Sequence, residues 1–423
     1  MIGKDDTYFM ISYLKVKKLH GFKINYNSIM LTLMLLFLFE PAYFSQIKYI
    51  HFSFTVGKIA AFAYGIIKII QTRKVPKVLK YILLYLLIQF ITTLYNLGNI
   101  KNAFYEIICG LGVVCVIFYG AFYNKNNWLS SVVFVFELLI YGNFISVLIA
   151  PNGLYIQKMS SGWWTNLCWF LGIRNGMTLT YVLAAFFELA YFFIRYKSSK
   201  KVMLRTSMFF LIATITILKI SSSIVYQDKS TSAGGLSLIW GLIIIYVLFL
   251  VRINRLFGWF SFTKGVMSNY ILMFILVVFQ LQYYFSWIIV GILKKDITMT
   301  GRTTIWKRAV EVIREHWIFG YGLPVGTSMS DRLQDVAAVT TTQNGFLDVA
   351  YVGGICLSIM LVLIFLCVSK YIKKYNLLPK YSFFIGYFIA LFLLATQGES
   401  IGGMRLFTML IGIWCVTPMF KEV

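Results

Sequence analysis

The sequence predicts an all-α, polytopic membrane fold on three observations. The 423 residues are 59% hydrophobic and only 13% charged, with a mean hydropathy of +0.77, whereas a soluble domain carries roughly 25% charged residues. Apolar runs recur along the chain at roughly 17 to 25 residues, the length that crosses about 30 Å of hydrocarbon as a helix. Lysine and arginine gather in alternate connections between those runs, the asymmetry of a multi-pass protein.

The runs fall near 28–47, 52–70, 79–97, 103–123, 128–149, 178–195, 206–225, 235–251, 266–292, 346–369, 381–397 and 402–420. They predict about twelve helices in a single membrane domain over 1–423. The first run is longer than a signal-peptide core and no small-x-small cleavage site follows it, so it is expected to be retained. With the N-terminus inside, the inner connections hold Lys15, Lys17, Lys18 and Lys23; Arg73, Lys74, Lys77 and Lys80; Arg195, Lys197, Lys200 and Lys201; Arg252 and Arg255; and Lys370, Lys373 and Lys374. The short outer turns hold almost none, which places both termini in the cytoplasm. The net charge of +24 is thus read as a topology signal, and nucleic acid is not an expected partner.

Two outer loops interrupt the apolar pattern. The first, 151–177, carries Trp163, Trp164 and Trp169 and ends in Gly172-Ile173-Arg174-Asn175-Gly176. Its tryptophans suit interfacial anchors or sugar-stacking surfaces, and Arg174 suits a snorkelling residue unless it faces an anion. The second, 293–345, contains an amphipathic helix over 303–319, where Ile305, Ala309, Val312 and Ile313 alternate with Lys307, Arg308, Glu311, Arg314 and Glu315. Thr303 is expected to cap that helix, and Gly320 and Gly322 to stop it. The plain reading of such a helix is one lying on lipid. Arg302 stands at its start, where open N–H groups favour anions over cations, so a phosphate is a natural source of the compensating charge.

The remaining reactive residues exclude more than they suggest. Cys109, Cys115, Cys168, Cys356, Cys367 and Cys415 show no CxxC spacing, and the three histidines, His20, His51 and His316, are far apart, so neither a disulfide framework nor a metal site is indicated. Lys58, Lys68, Glu137, Glu188 and Lys219 fall inside predicted spans. Charges there either pair within the bundle or serve transport.

In order along the chain come Arg174-Asn175 at the start of a span, Gly301-Arg302 followed by Trp306, Phe319-Gly320-Tyr321-Gly322, Gln343-Asn344-Gly345-Phe346-Leu347, Gly353-Gly354 within a span, and Glu399-Ser400 before the last span. This series resembles the O-antigen polymerase and ligase family of polytopic bacterial envelope enzymes. The resemblance implies inverting glycosyl transfer at the outer face of the bacterial plasma membrane, using undecaprenyl-pyrophosphate-linked oligosaccharides, with no metal or cofactor. It gives Arg174, Asn175, Arg302 and Asn344 substrate-binding roles, the arginines holding the pyrophosphate. Guanidinium forks suit that task, because the departing pyrophosphate gains negative charge in the transition state.

One position departs from the family pattern, which has His-Asn where this chain has Gln343-Asn344. Glutamine has no basic nitrogen, so the acceptor would be deprotonated by Asp348 or Glu399, or Gln343 would only orient it. His316 is a third candidate. A capsule or exopolysaccharide polymerase is expected over a ligase, because the Lys-, Asn- and Ile-rich composition suggests a low-GC bacterium. The competing expectation is a lipid-linked oligosaccharide flippase or another secondary transporter. Membrane lipids and a chain-length regulator complete the expected partners.

Overall fold

The computed structural model describes residues 26–73, 75–124, 127–158, 165–195, 200–222, 234–279, 284, 286–287, 302–326, 328–333, 341–398 and 403–422. The helices run α1 Tyr26–Leu38, α2 Lys48–Thr72, α3 Lys77–Tyr95, α4 Ile100–Tyr123, α5 Trp128–Ile149, α6 Arg174–Arg195, α7 Lys200–Ser222, α8 Gly234–Leu248, α9 Leu250–Phe257, α10 Phe262–Met273, α11 Arg302–Glu315, α12 Ser328–Leu333, α13 Gly345–Lys374, α14 Pro379–Ala395 and α15 Gly403–Lys421. Among the described residues, eight helices are long and apolar enough to cross a membrane: α2 to α5, α6 from Gly176, α7, α13 and α15. The pair α8 and α9, bent by 93°, adds a ninth if taken as one span, and Tyr26–Leu38, Phe262–Val277 and Pro379–Ala395 are shorter apolar helices. Among the described residues the protein is therefore helical and polytopic, with up to nine full-length spans against about twelve apolar runs, and the run 266–292 lies partly outside the described residues.

Two of the shortened runs have visible causes. Helix α1 stops at Leu38 because Pro41 disfavours helical backbone at Glu40, and the Glu40 carboxylate instead accepts a 2.5 Å hydrogen bond from Lys58 Nζ. Helix α8 turns into α9 where Arg252 and Arg255 end the apolar run. Basic residues beside exposed Val251 and Leu256 are the composition of a helix lying in the membrane interface.

Helices α6 and α15 form the centre, with 78% and 83% of their apolar windows buried inside the protein, while α2 is peripheral at 28%. Phe186 of α6 stacks on Phe384 of α14 with ring centroids 5.3 Å apart. Helix α4 packs on both α2 and α15, and α13 packs on α3. Two of the charges expected inside spans are paired there: Lys58 is buried between Glu40 and the Tyr105 hydroxyl, and Arg205 grips Glu137 through Nε and Nη2 at 2.7 and 2.5 Å. Glu188 accepts from Thr206 at 2.6 Å through Oε1, while its Oε2 is buried without a partner among the described residues. Lys219 is exposed near the end of α7, where its stem can snorkel.

The loop 151–177 is built differently from a plain interfacial segment. It holds a three-stranded antiparallel sheet of β1 Tyr155–Lys158, β2 Thr165–Trp169 and β3 Gly172–Ile173, in that order. Trp169 is not an anchor or a stacking surface: its side chain is wholly buried and its indole N–H donates to Ala150 O at 2.9 Å. Trp163 and Trp164 lie outside the described residues.

Helix α11 also corrects its expectation. It spans Arg302–Glu315, not 303–319, and Thr303 is a buried residue within it, not its cap. Its apolar face does not lie on lipid. Ile305, Trp306, Ala309 and Val312 pack inside the protein against Tyr321, Met329, Leu333, Leu347 and Tyr351. Gly320 and Gly322 come several residues after its end and have another task. Helix α13 is broken at Gly353 and Gly354, where Gly354 has φ +57 and ψ −150, a conformation essentially restricted to glycine. The strap 316–322 splints this break. The Tyr321 and Gly322 amides donate to Tyr351 O and Val352 O at 2.8 Å each, and the Ile355 amide donates back to Trp317 O at 2.8 Å. Gly320 allows the contact, since a Cβ there would stand 2.5 Å from Tyr351 O.

Candidate functional site

The start of α11, the turn 341–344, the first turn of α13 and the α3–α4 turn converge at one end of the bundle. Asn344 fixes the start of α13. In extended backbone, with φ −149 and ψ 118, its Oδ1 accepts from the Phe346 and Leu347 amides at 3.0 and 3.2 Å, satisfying N–H groups that a helix end leaves open. Its Nδ2 donates to Gln397 Oε1 at 2.7 Å, tying α13 to the short 3₁₀ turn Thr396–Gly398 that follows α14. Asn344 is fully buried, so its place in the site is to position its neighbours.

Asp348, one turn into α13, folds back on the turn. Its Oδ1 accepts from the Thr342 amide and the Thr342 hydroxyl, each at 2.8 Å. Its Oδ2 is buried without a partner among the described residues. Gln343 lies between Thr342 and Asn344 with φ +54, a left-handed conformation that costs a non-glycine residue roughly 1–2 kcal/mol. Its Oε1 accepts from Arg302 Nε at 3.0 Å, so the glutamine orients the guanidinium at the start of α11. The structure thus brings together Arg302, Gln343, Asn344 and Asp348.

The other sequence-predicted residues are placed elsewhere or lie outside the described set. Arg174 begins α6 at the sheet-to-helix junction, half-buried, with Cζ 5.8 Å from the Trp169 ring centroid. Burial lowers its pKa from the usual guanidinium value, and the indole face offsets part of that desolvation. The side chain of Asn175 and the whole of Glu399 are not among the described residues. His316 is exposed, its ring 4.3 Å from that of Tyr321.

Beside Asp348 opens a cleft of about 220 Å³, lined among others by Tyr85 and Gln89 of α3, Asn102 and Glu106 of α4, and Asp348 and Tyr351 of α13. Gln89 Nε2 donates to Glu106 Oε2 at 2.5 Å. Two carboxylates from different helices therefore face one space. Glu106 falls in the run 103–123, yet the sequence reading does not single it out with Glu137 and Glu188 as a charge within a span. The available signal was an acidic residue in one span and an amide in the span before it, neither of which lipid tolerates cheaply.

Behind the cleft a second arginine, Arg332 of α12, also escaped the sequence reading. Its Nη1 donates to the Tyr351 hydroxyl at 3.0 Å, and its Cζ lies 4.3 Å from the Tyr321 ring centroid. Tyr321 donates to Glu315 Oε2 at 2.9 Å. Burial, and then the Glu315 carboxylate, push the Tyr321 phenol up to about 12, so it stays a neutral donor at physiological pH. This cluster locks α11, α12 and the strap around α13. No protein-family profile matches the chain, and no curated protein matches its sequence.

Proposed function

We propose that this protein is a bacterial membrane glycosyltransferase that polymerises undecaprenyl-pyrophosphate-linked oligosaccharide repeat units into capsular or exopolysaccharide. The observation that carries the reading is the convergence of Arg302, Gln343 and Asp348 beside a cleft at one end of an apolar bundle. The family resemblance of the ordered motifs points the same way. In this reading both termini are cytoplasmic, the shorter apolar helices also embed in the bilayer, and the site faces outward.

The chemistry follows from the groups present. An acceptor hydroxyl attacks the anomeric carbon of the donor sugar from the face opposite the pyrophosphate, forming the new C–O bond with inversion. The bond from that carbon to the pyrophosphate oxygen breaks and its electron pair leaves with the lipid-linked pyrophosphate. Arg302, aimed by Gln343, stabilises that growing charge with charge-assisted hydrogen bonds, and Arg174 is a second candidate for the same task. The hydroxyl proton passes to Asp348 Oδ2, the oxygen that the Thr342 contacts leave open.

The test is a polymerisation assay with purified protein in nanodiscs and a lipid-linked repeat unit, read as a product ladder on a gel. Wild type is expected to give the ladder, and Arg302→Lys to lose most of it while folding normally, because lysine keeps the charge but not the fork. A wild-type ladder from Arg302→Lys rejects the arginine's role.

A transporter of the same lipid-linked substrate is the second reading. It is favoured by two discontinuous helices, the 93° bend between α8 and α9 and the break at Gly353–Gly354, a feature of transporter sites. Vesicles would separate the two, since a transporter moves the lipid-linked unit across the bilayer without lengthening it.

A further inference from the structure

We infer that the cleft between α3, α4 and α13 is a binding subsite for a neutral saccharide, held through its hydroxyl groups by Glu106 and Asp348. The inference rests on the glycosyltransferase reading in one respect: it makes this saccharide the acceptor of the glycosyl transfer.

The cleft is large enough and built for a hydroxylated ligand. Its volume of about 220 Å³ far exceeds the ~10–15 Å³ that one water needs on the same measure. Three polar groups at its lining have no partner among the described residues. Asp348 Oδ2 is one. Glu106 Oε1 is the second, its other oxygen being taken by Gln89. The Tyr85 hydroxyl is the third, on a side chain only 4% exposed. Convergent polar groups without partners inside an otherwise apolar and aromatic cleft are the signature of a ligand site.

Charge decides the class of ligand. Among the described lining residues none is a lysine, arginine or histidine, so a phosphate or uronate placed there would meet two carboxylates and no cation. A sugar hydroxyl meets two carboxyl groups whose free oxygens can accept its O–H. Asp348 joins this subsite to the arginine side: Oδ1 is fixed to Thr342, and Oδ2 is left for the hydroxyl that reacts. Glu106 lies six residues into α4 and so about 9 Å along its axis, and Asp348 lies in the first turn of α13. Both carboxylates are therefore near the end of the bundle, where a glycan can enter from water.

The test uses the full-length protein in nanodiscs and, as probe, the oligosaccharide released by mild acid from the cell's own polyprenyl-linked pool, titrated by calorimetry. Wild type is expected to bind. Glu106→Gln and Asn102→Leu, the latter at the exposed rim of the cleft, are expected to weaken binding roughly tenfold each. Glu311→Gln, the same charge change on the exposed face of α11, is expected to bind as wild type. Thermal melting of each variant separates lost binding from lost folding, and Asn102→Leu alone decides the matter if Glu106→Gln does not fold. No binding by wild type, or wild-type affinity in the folded cleft variants, overturns the subsite. Equal product ladders and equal affinities from wild type and Glu106→Gln remove the subsite and leave the polymerase reading standing. Saccharide binding without any ladder does the reverse.

Discussion

Asp348 has two oxygens in two different situations, and that difference makes its two obvious substitutions behave differently. Asparagine keeps an oxygen for the Thr342 amide and hydroxyl but cannot take a proton. Asp348→Asn is therefore expected to melt close to wild type and to lose a factor of about 10² to 10⁴ in turnover, the usual weight of a general base. Asp348→Ala removes the back-bond as well, so both stability and activity fall. An active Asp348→Asn would remove this carboxylate as the base. Gln343 differs again, because its side chain orients Arg302. Gln343→Ala is expected to cut polymerisation roughly tenfold, through one lost hydrogen bond, with folding retained. A loss as large as that of Asp348→Asn would mean that Gln343 does more than orient. The sequence makes these residues legible because they are contiguous and polar beside an apolar run. It leaves Glu106 and Arg332 unmarked, because their neighbours are neighbours only in space.

Among the elements, the strap 316–322 shows most clearly what a sequence pattern can and cannot say. Glycines after an amphipathic stretch read naturally as a helix stop, yet α11 ends at Glu315 and Gly320 presses against the α13 break. The pairing of Phe319-Gly320-Tyr321-Gly322 with Gly353-Gly354 is a long-range backbone contact, which no periodicity encodes. The amphipathic pattern of α11 has the same ambiguity, since an apolar face looks alike whether it meets lipid or Tyr351. Gly320→Ala and Gly354→Ala are each expected to destabilise the protein by on the order of 3 kcal/mol, since the new Cβ would collide with backbone at 2.5 and 2.4 Å. Thermal melting checks this, and wild-type melting in both would refute the splint. Gly326→Ala should be much milder, because a Cβ there meets no atom within 4 Å, although its φ of +53 adds some strain.

At the scale of the whole molecule, hydropathy made the helical membrane class legible, while span number was blurred by helices that bend or stop early. Orientation rests on the lysines and arginines of the connections. Single cysteines at Ser328 and Lys200, in a background without the six native cysteines, are expected to react with an impermeant maleimide from opposite sides of intact cells. Labelling of position 200 from outside would invert the arrangement and remove the outward-facing site.

The break in α13 also has a mechanical meaning. The strap fastens both sides of it: the Tyr321 and Gly322 amides donate to Tyr351 O and Val352 O before the glycines, and the Ile355 and Cys356 amides donate to Trp317 O and Ile318 O after them. The turns that carry Asn344 and Asp348 and the apolar segment beyond Gly354 are thus braced at one angle, so a tilt imposed on that segment by a change of bilayer thickness reaches the carboxylate instead of being absorbed at the glycines. Polymerisation in vesicles of short- and long-chain lipids is expected to differ for wild type, and equal rates in both would refute this rigid coupling.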